Sequence, residues 1–565
     1  MVVGASLASA QTTPPKDTSM ANMPGMANMP GMSASSMSMP IPMPAGMPMM
    51  AGLMNITPDI KGTFLPGAGV DVSTLPEVKP RSIAKLTNGD TLDLTATLVR
   101  RTVAGRQVAM YGYNSEIPGP LIRVPQNATV IVRFHNRIDQ PSAVHWHGIR
   151  LENASDGAVG ITQEAVKVGG DFVYRVHFPD AGLYWYHSHV REDIQQEMGL
   201  FGNMIVDSPE PNYYGPANRD QVLMLGDLLV NRDTLIPFGA DVPDFTLMGR
   251  VGNMLLVNGE PSYSLTVGQG EVVRFYLTNV ASSRTFNVSF GGAPIKVVAS
   301  DESRFEHEEL VPSVILAPAE RYIVDVRFPA AGRYTIVNAV QAINHLQGEF
   351  VPEVDTLGAV TVDAKPATPN YATGFATMRA NAEVSKDIAR YRASFSHQPD
   401  HTFHLTLATN GLPLATVQFM SVDTAYYAPV EWVDGMPDMN WLSTASETRW
   451  IIRDEASGKE NMDIDWHVKQ GSTTVIRLIN DATSFHPMQH PIHLHGQRML
   501  VVARDGVPTK NLVWKDTVII PVGSAVDLLI DASNPGAWMM HCHIAEHLES
   551  GMMTVMHVDG PPTSK

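Results

Sequence analysis

The chain is short of several things that commonly define a binding or structural role. Only one of its 565 residues is cysteine, which rules out an intrachain disulfide. Lysine and arginine number 40 against 57 aspartates and glutamates, a formal charge of −17. That balance argues against nucleic acid as a partner, because phosphate binding needs a basic surface. It also disfavours simple docking on anionic lipid. No apolar run reaches the roughly 18 residues of a membrane span, so no transmembrane helix is expected.

What is present points to several packed domains. The apolar fraction is 44%, and the length suggests three or four domains of about 150 residues each. Residues 1–10 close the small, apolar stretch "MVVGASLASAQTT" around an Ala-Ser-Ala-Gln step. This resembles the tail of a secretory signal cut after Ala10, without its basic n-region, and the chain is expected to be exported to a periplasmic or extracellular space. There a lone thiol is a liability unless a metal ion holds it. Residues 11–74 form an arm and lead-in. The part from 11 to 54 is low in complexity and contains "MANMPGMANMPGM". Proline and glycine prevent regular structure, so disorder is expected there. It reads either as a flexible spacer or as a thioether array selective for Cu(I).

From about residue 75 the pattern changes to short alternating runs broken by Gly, Pro and Asn, such as "ATVIVRFHN", "EVVRFYLTN" and "RYIVDVRF". Period-two alternation with regular turn signals predicts an all-β chain of sandwiches. Three late segments repeat one another: "FPDAGLYWYHSH", "FPAAGRYTIVNA" and "SNPGAWMMHCH". Aligned on Gly182, Gly332 and Gly536, the position five residues on is His187, Val337 and His541. One sandwich therefore occurs three times, with the histidine lost from the middle copy. The expected domains are 75–210, 211–370 and 371–565, with 364–395 as linker.

Half of the 20 histidines fall in "HWHG", "HSH", "HPIHLHG" and "HCHIAEH". On a strand, residues i and i+2 face the same way. The pairs His145/His147, His187/His189, His493/His495 and His541/His543 thus aim eight imidazoles in four bundles, two from the first repeat and two from the third. Cys542 alternates with His541 and His543, so its sulfur faces the opposite way. His547 lies a turn further on and Met552 beyond it, and His490 could close the second imidazole position of a thiolate, two-imidazole, thioether set, the donor combination of blue copper. Zinc is disfavoured, since its closed sites take four ligands.

These motifs resemble the multicopper oxidases, in particular the three-domain laccase-like and copper-resistance members, over about 75–565. The resemblance implies three cupredoxin-like Greek-key β-sandwich domains and four coppers. It implies a type 1 copper on His490, Cys542, His547 and axial Met552, and a type 2 copper on His145 and His493. It also implies a type 3 pair on His147, His187, His189, His495, His541 and His543. Asp156 matches the family's carboxylate beside the type 2 copper. The second acid expected directly after the type 1 histidine is absent, since Leu548 stands there; Glu546 and Glu549 are the candidates in its place. The implied reaction takes electrons singly from phenols or aromatic amines and passes them to O2. The alternative donor is Cu(I), in keeping with the arm and with Met436, Met439 and Met462. Copper storage without catalysis is a third reading, and a complete set of twelve ligands argues against it.

Overall fold

The computed structural model describes residues 58–560, apart from 233, 345–348, 413–415, 418–431 and 435–439. The methionine-rich segment 11–54 lies outside the described residues, as do Met436 and Met439.

Strands dominate, arranged as three pairs of facing sheets. Strands between Ile83 and Asp207 form a five-stranded and a four-stranded sheet. Strands between Arg219 and Pro366 form the middle pair, and those between His401 and Asp559 the third. The strand Thr129–Arg137 shows the period-two pattern at work. Val130, Val132 and Phe134 are buried in the first core, and the residues between them are less so. Parallel pairings, such as Thr91–Val103 against Thr129–Arg137 and Phe201–Asp207 against Leu121–Pro125, require the chain to cross between sheets. This is the cupredoxin-like sandwich repeated three times.

Two local differences from the sequence pattern have physical causes. The strand Val272–Asn279 reads as alternating, yet all its residues are buried. Its outward face packs on the first sandwich, where Tyr276 joins Leu121, Leu183 and Ile205 in a cluster between domains. The stretch 364–395, expected as a linker, carries the helices Ala372–Ala376 and Ala382–Ala389. Val384 and Ile388 pack with Leu512 and Trp514, so this segment is a strut against the third sandwich.

The repeat extends to the register of paired strands. His145 lies opposite His187, Ser289 opposite Val337, and His493 opposite His541. The segments "HWHG", "SFGG" and "HLHG" are therefore equivalent places in three sandwiches. Gly148, Gly292 and Gly496 close them with φ of +83°, +81° and +58°. At Gly496 space is a second constraint, because a Cβ would lie 2.1 Å from the Trp538 ring. At Gly506, in a hairpin turn with φ +75°, nothing lies within 4 Å of such an atom.

Gly506→Ala should therefore cost only the left-handed backbone penalty, about 1–2 kcal/mol. Gly496→Ala should cost a further 1–3 kcal/mol or so from overpacking. Urea unfolding of the two variants checks this, and equal losses would mean that Trp538 does not set the requirement for glycine.

Candidate metal centres

The two histidine-bearing sheets meet through paired strands that mirror one another. In the first sandwich Val144–His147 pairs with Gly182–Ser188, and in the third His490–Leu494 pairs with Gly536–Cys542. Every residue of these four strands except Gly536 and Ala537 is buried. Contacts across the junction hold them face to face. Asn153 donates its side-chain N–H to the Ala537 carbonyl at 2.8 Å, and Asn534 donates to the Leu151 carbonyl at 2.8 Å.

Eight imidazoles gather at this junction. His147 and His493 stack at 3.7 Å between centroids, His145 and His495 at 3.9 Å. Three groups place their donor atoms within 4.8 Å of one another: His145/His147/His493, His147/His187/His543 and His189/His495/His541. Burial lowers His189 to about 3 and carries His147, His187, His495, His541 and His543 well below the ordinary imidazole value. These rings are neutral at physiological pH, the form that ligates metals. Among the described residues, His145 Nε2, His147 Nδ1, His187 Nε2, His493 Nε2 and both ring nitrogens of His543 have no hydrogen-bond partner. Buried polar atoms are rarely left so. The donor set fits a cluster of imidazole-loving ions such as copper.

On the other face of the strand, Cys542 joins a second group. Its Sγ lies 3.6 Å from His490 Nδ1 and 3.6 Å from His547 Nδ1. His547 is carried there by the helix Ala545–Glu549 that follows directly. Met552 is fully buried, and its carbonyl accepts the Cys542 N–H at 3.1 Å. Trp450 stacks on His547 at 4.1 Å. His547 Nε2 faces the Leu247 carbonyl at 3.3 Å, so the middle sandwich caps this group. Burial pushes the Cys542 thiol up and His490 down to about 3. A cysteine sulfur with two neutral imidazoles, in the same buried cluster as Met552, is a donor set suited to copper.

Carboxylates orient the rings from behind. Asp156 Oδ2 is 2.8 Å from His495 Nδ1, and its carbonyl is 2.8 Å from His145 Nδ1. Burial raises the Asp156 carboxyl, but His495 and His145 outweigh it and hold the group below the usual carboxylate range. Glu546 is buried, with one oxygen accepting from Ser283 at 3.0 Å and the other unpartnered. Glu549 accepts the Glu192 N–H at 3.1 Å, and burial together with Asp193 pushes its carboxyl up to about 7.

Three neighbours carry no motif in the sequence. Glu192 Oε1 lies 3.2 Å from His189 Nδ1. Asp516 Oδ1 lies 3.0 Å from His147 Nε2, and the Asp516 carbonyl 2.9 Å from His493 Nδ1. Thr517 Oγ1 is 3.0 Å from His147 Nε2. Only the spacing of Glu192, three residues after His189, offered a local signal.

Comparison with known proteins agrees with this arrangement. Models of the family described as multicopper oxidase match residues 95–211, 216–354 and 435–561. Multicopper oxidase MmcO of Mycobacterium tuberculosis is 28% identical over 82% of this chain and 86% of its own. A copper resistance protein A homolog of Pseudomonas syringae is 25% identical over 84% and 93%. Laccase-1 of Fomitopsis schrenkii is 27% identical over 80% and 83%. Among solved structures, a Campylobacter jejuni multicopper oxidase described as a metallo-oxidase superposes with a TM-score of 0.65 at 20% identity, over 90% of this chain and all of that one. Three family models in tandem, laid over two sandwiches that bring their histidines together and one that has lost them, place the chain among the multicopper oxidases, copper-dependent oxidoreductases that hold four coppers and use O2 as acceptor.

Proposed function

We propose that His490, Cys542, His547 and Met552 hold the type 1 copper, and that His145 and His493 hold the type 2 copper. His147, His187, His189, His495, His541 and His543 then hold the type 3 pair. One observation carries the reading. The segment 541–543 belongs to both groups, with the Cys542 sulfur near His490 and His547 and the flanking rings in the eight-imidazole cluster. Copper bound in these places supplies one-electron uptake from a donor and four-electron reduction of O2 to water.

The protein's own part is geometric. Cys542 and its two neighbours provide a path of covalent bonds between the groups. Asp156 fixes His495 and His145, and its Oδ1, 3.4 Å from His145 Nδ1 and without a hydrogen bond, is the oxygen that carries a proton at the cluster. Glu549 reaches the cluster side through Glu192, which touches His189. Glu546, held by Ser283 on the capped side, is the alternative proton source. The reading is of an exported enzyme.

The cover over His490 and His547 bears on the choice of donor. We assign phenols or aromatic amines as donors, supported by relatives named laccase. A second donor, Cu(I), is favoured by relatives named copper resistance protein A and by the burial of both rings. A small ion needs less access than an aromatic ring does. Met462, 50% exposed in the third sandwich, offers a thioether to solvent.

Cys542→Ser should abolish the blue absorption and all oxidase turnover, while the eight-histidine cluster still loads copper. A serine variant that stayed blue would refute the assignment. Met552→Leu should raise the type 1 potential, because a coordinating thioether lowers it; an unchanged potential removes Met552 from the ligand set. Oxygen uptake with a methoxyphenol and with Cu(I), on the full chain and after deletion of residues 11–54, separates the donors. Phenol turnover that survives the deletion while the KM for Cu(I) rises is the expected result. Equal Cu(I) kinetics would remove the arm from the mechanism.

A further inference from the structure

The middle sandwich supplies no histidine to either group among the described residues, yet it reaches the cluster through one side chain. Arg321 opens the strand Arg321–Arg327 and is fully buried. Its guanidinium forks onto Asp516, Nη1 to Oδ1 at 2.6 Å and Nη2 to Oδ2 at 2.5 Å. Its Nε donates to the Leu183 carbonyl at 3.1 Å, on the strand that carries His187. Asp516 in turn faces His147 Nε2 at 3.0 Å and accepts from Thr517 Oγ1 at 2.8 Å. One residue therefore ties three sandwiches: the Asp516 carboxylate meets His147 of the first and Arg321 of the second, and its carbonyl faces His493 Nδ1 of the third at 2.9 Å.

Geometry makes the arginine more than a counter-ion. A lone carboxylate can rotate between its donors, whereas a bidentate guanidinium fixes its plane. With Nε2 facing that fixed carboxylate, His147 is left with Nδ1 as its unpartnered nitrogen. His493 stacks flat on the same ring, 16° from parallel. The chain also keeps space for the pair. A Cβ on Gly148 would lie 2.5 Å from Asp516 Oδ2 and 2.7 Å from Arg321 Nη2.

We propose that Arg321 is a positioning residue for the cluster: it fixes the Asp516 carboxylate, and through it both His147, a ligand of the type 3 pair, and His493, whose Nδ1 lies 3.5 Å from Asp516 Oδ1, so that through His493 the copperless domain governs copper retention at the type 2 position. The proposal rests on the ligand assignment above. Arg321→Lys keeps the charge but not the fork, and Arg321→Gln loses both. In copper-loaded protein challenged with a chelator, type 2 copper should be held about ten- to a hundredfold more weakly, as outer-shell losses commonly produce. The loss is read as copper per chain and as the type 2 signal in electron paramagnetic resonance. Lys should retain more than Gln, and the blue absorption and type 1 potential should stay at wild-type values. Adding either change to Asp516→Asn should cause little further loss, since both act through one carboxylate. Wild-type retention in both variants overturns the proposal. So does equal loss of type 1 and type 2 copper, or failure of both variants to fold, which would make Arg321 a structural brace alone. A wild-type protein with no type 2 signal would overturn the four-copper assignment itself.

Discussion

Both donor groups depend on the two-residue period at the end of one strand, Gly536–Cys542, carried on to His543. Between His541 and His543 the side chains alternate across the sheet, so the sulfur and the two rings must point apart. A helix there would spread the three donors around a cylinder, and a loop would leave their directions unfixed. The strand makes a three-residue bridge between two buried donor groups. Its neighbours enforce that form: Ile492 lies opposite Cys542, and His493 opposite His541. The rest of the molecule brings a second, mirrored pair of strands to face this one.

That meeting is costly without metal. The cluster buries neutral imidazoles with six ring nitrogens left unpartnered, and each such atom costs about 1–3 kcal/mol. The total is comparable with the whole stability of a domain, about 5–15 kcal/mol. Metal binding offsets it, because the same nitrogens become ligands. The carboxylates behind the rings belong to this balance. Asp156, Asp516 and Glu192 each satisfy the nitrogen that does not face the cluster, or lie within reach of it. The middle sandwich fits the same logic, with Ser289 and Val337 where its neighbours carry histidines. Freed from ligation, it caps the cysteine group through Leu247 and reaches the cluster through Arg321.

The features legible in the sequence were those encoded by short-range periodicity. The alternating runs announced strands, the Gly-led repeats announced three sandwiches, and H-x-H spacing announced paired ligands. His490 and His547 could be named because both stand within the quoted motifs, at the start of "HPIHLHG" and the end of "HCHIAEH". Asp516, Thr517 and Arg321 could not. They are distant in sequence from His147, and their roles arise only when three domains pack together. Val272–Asn279 shows the same limit, since its second buried face depends on a neighbouring domain and not on its own pattern. The strut at 372–389 was hidden by a composition that reads as linker.

Anomalous diffraction at the copper edge from copper-loaded crystals tests the central claim most directly. The account predicts four peaks per chain, one bonded to Cys542 Sγ and three enclosed by the eight histidines of the cluster. A single peak, or copper that avoids Cys542, would contradict it.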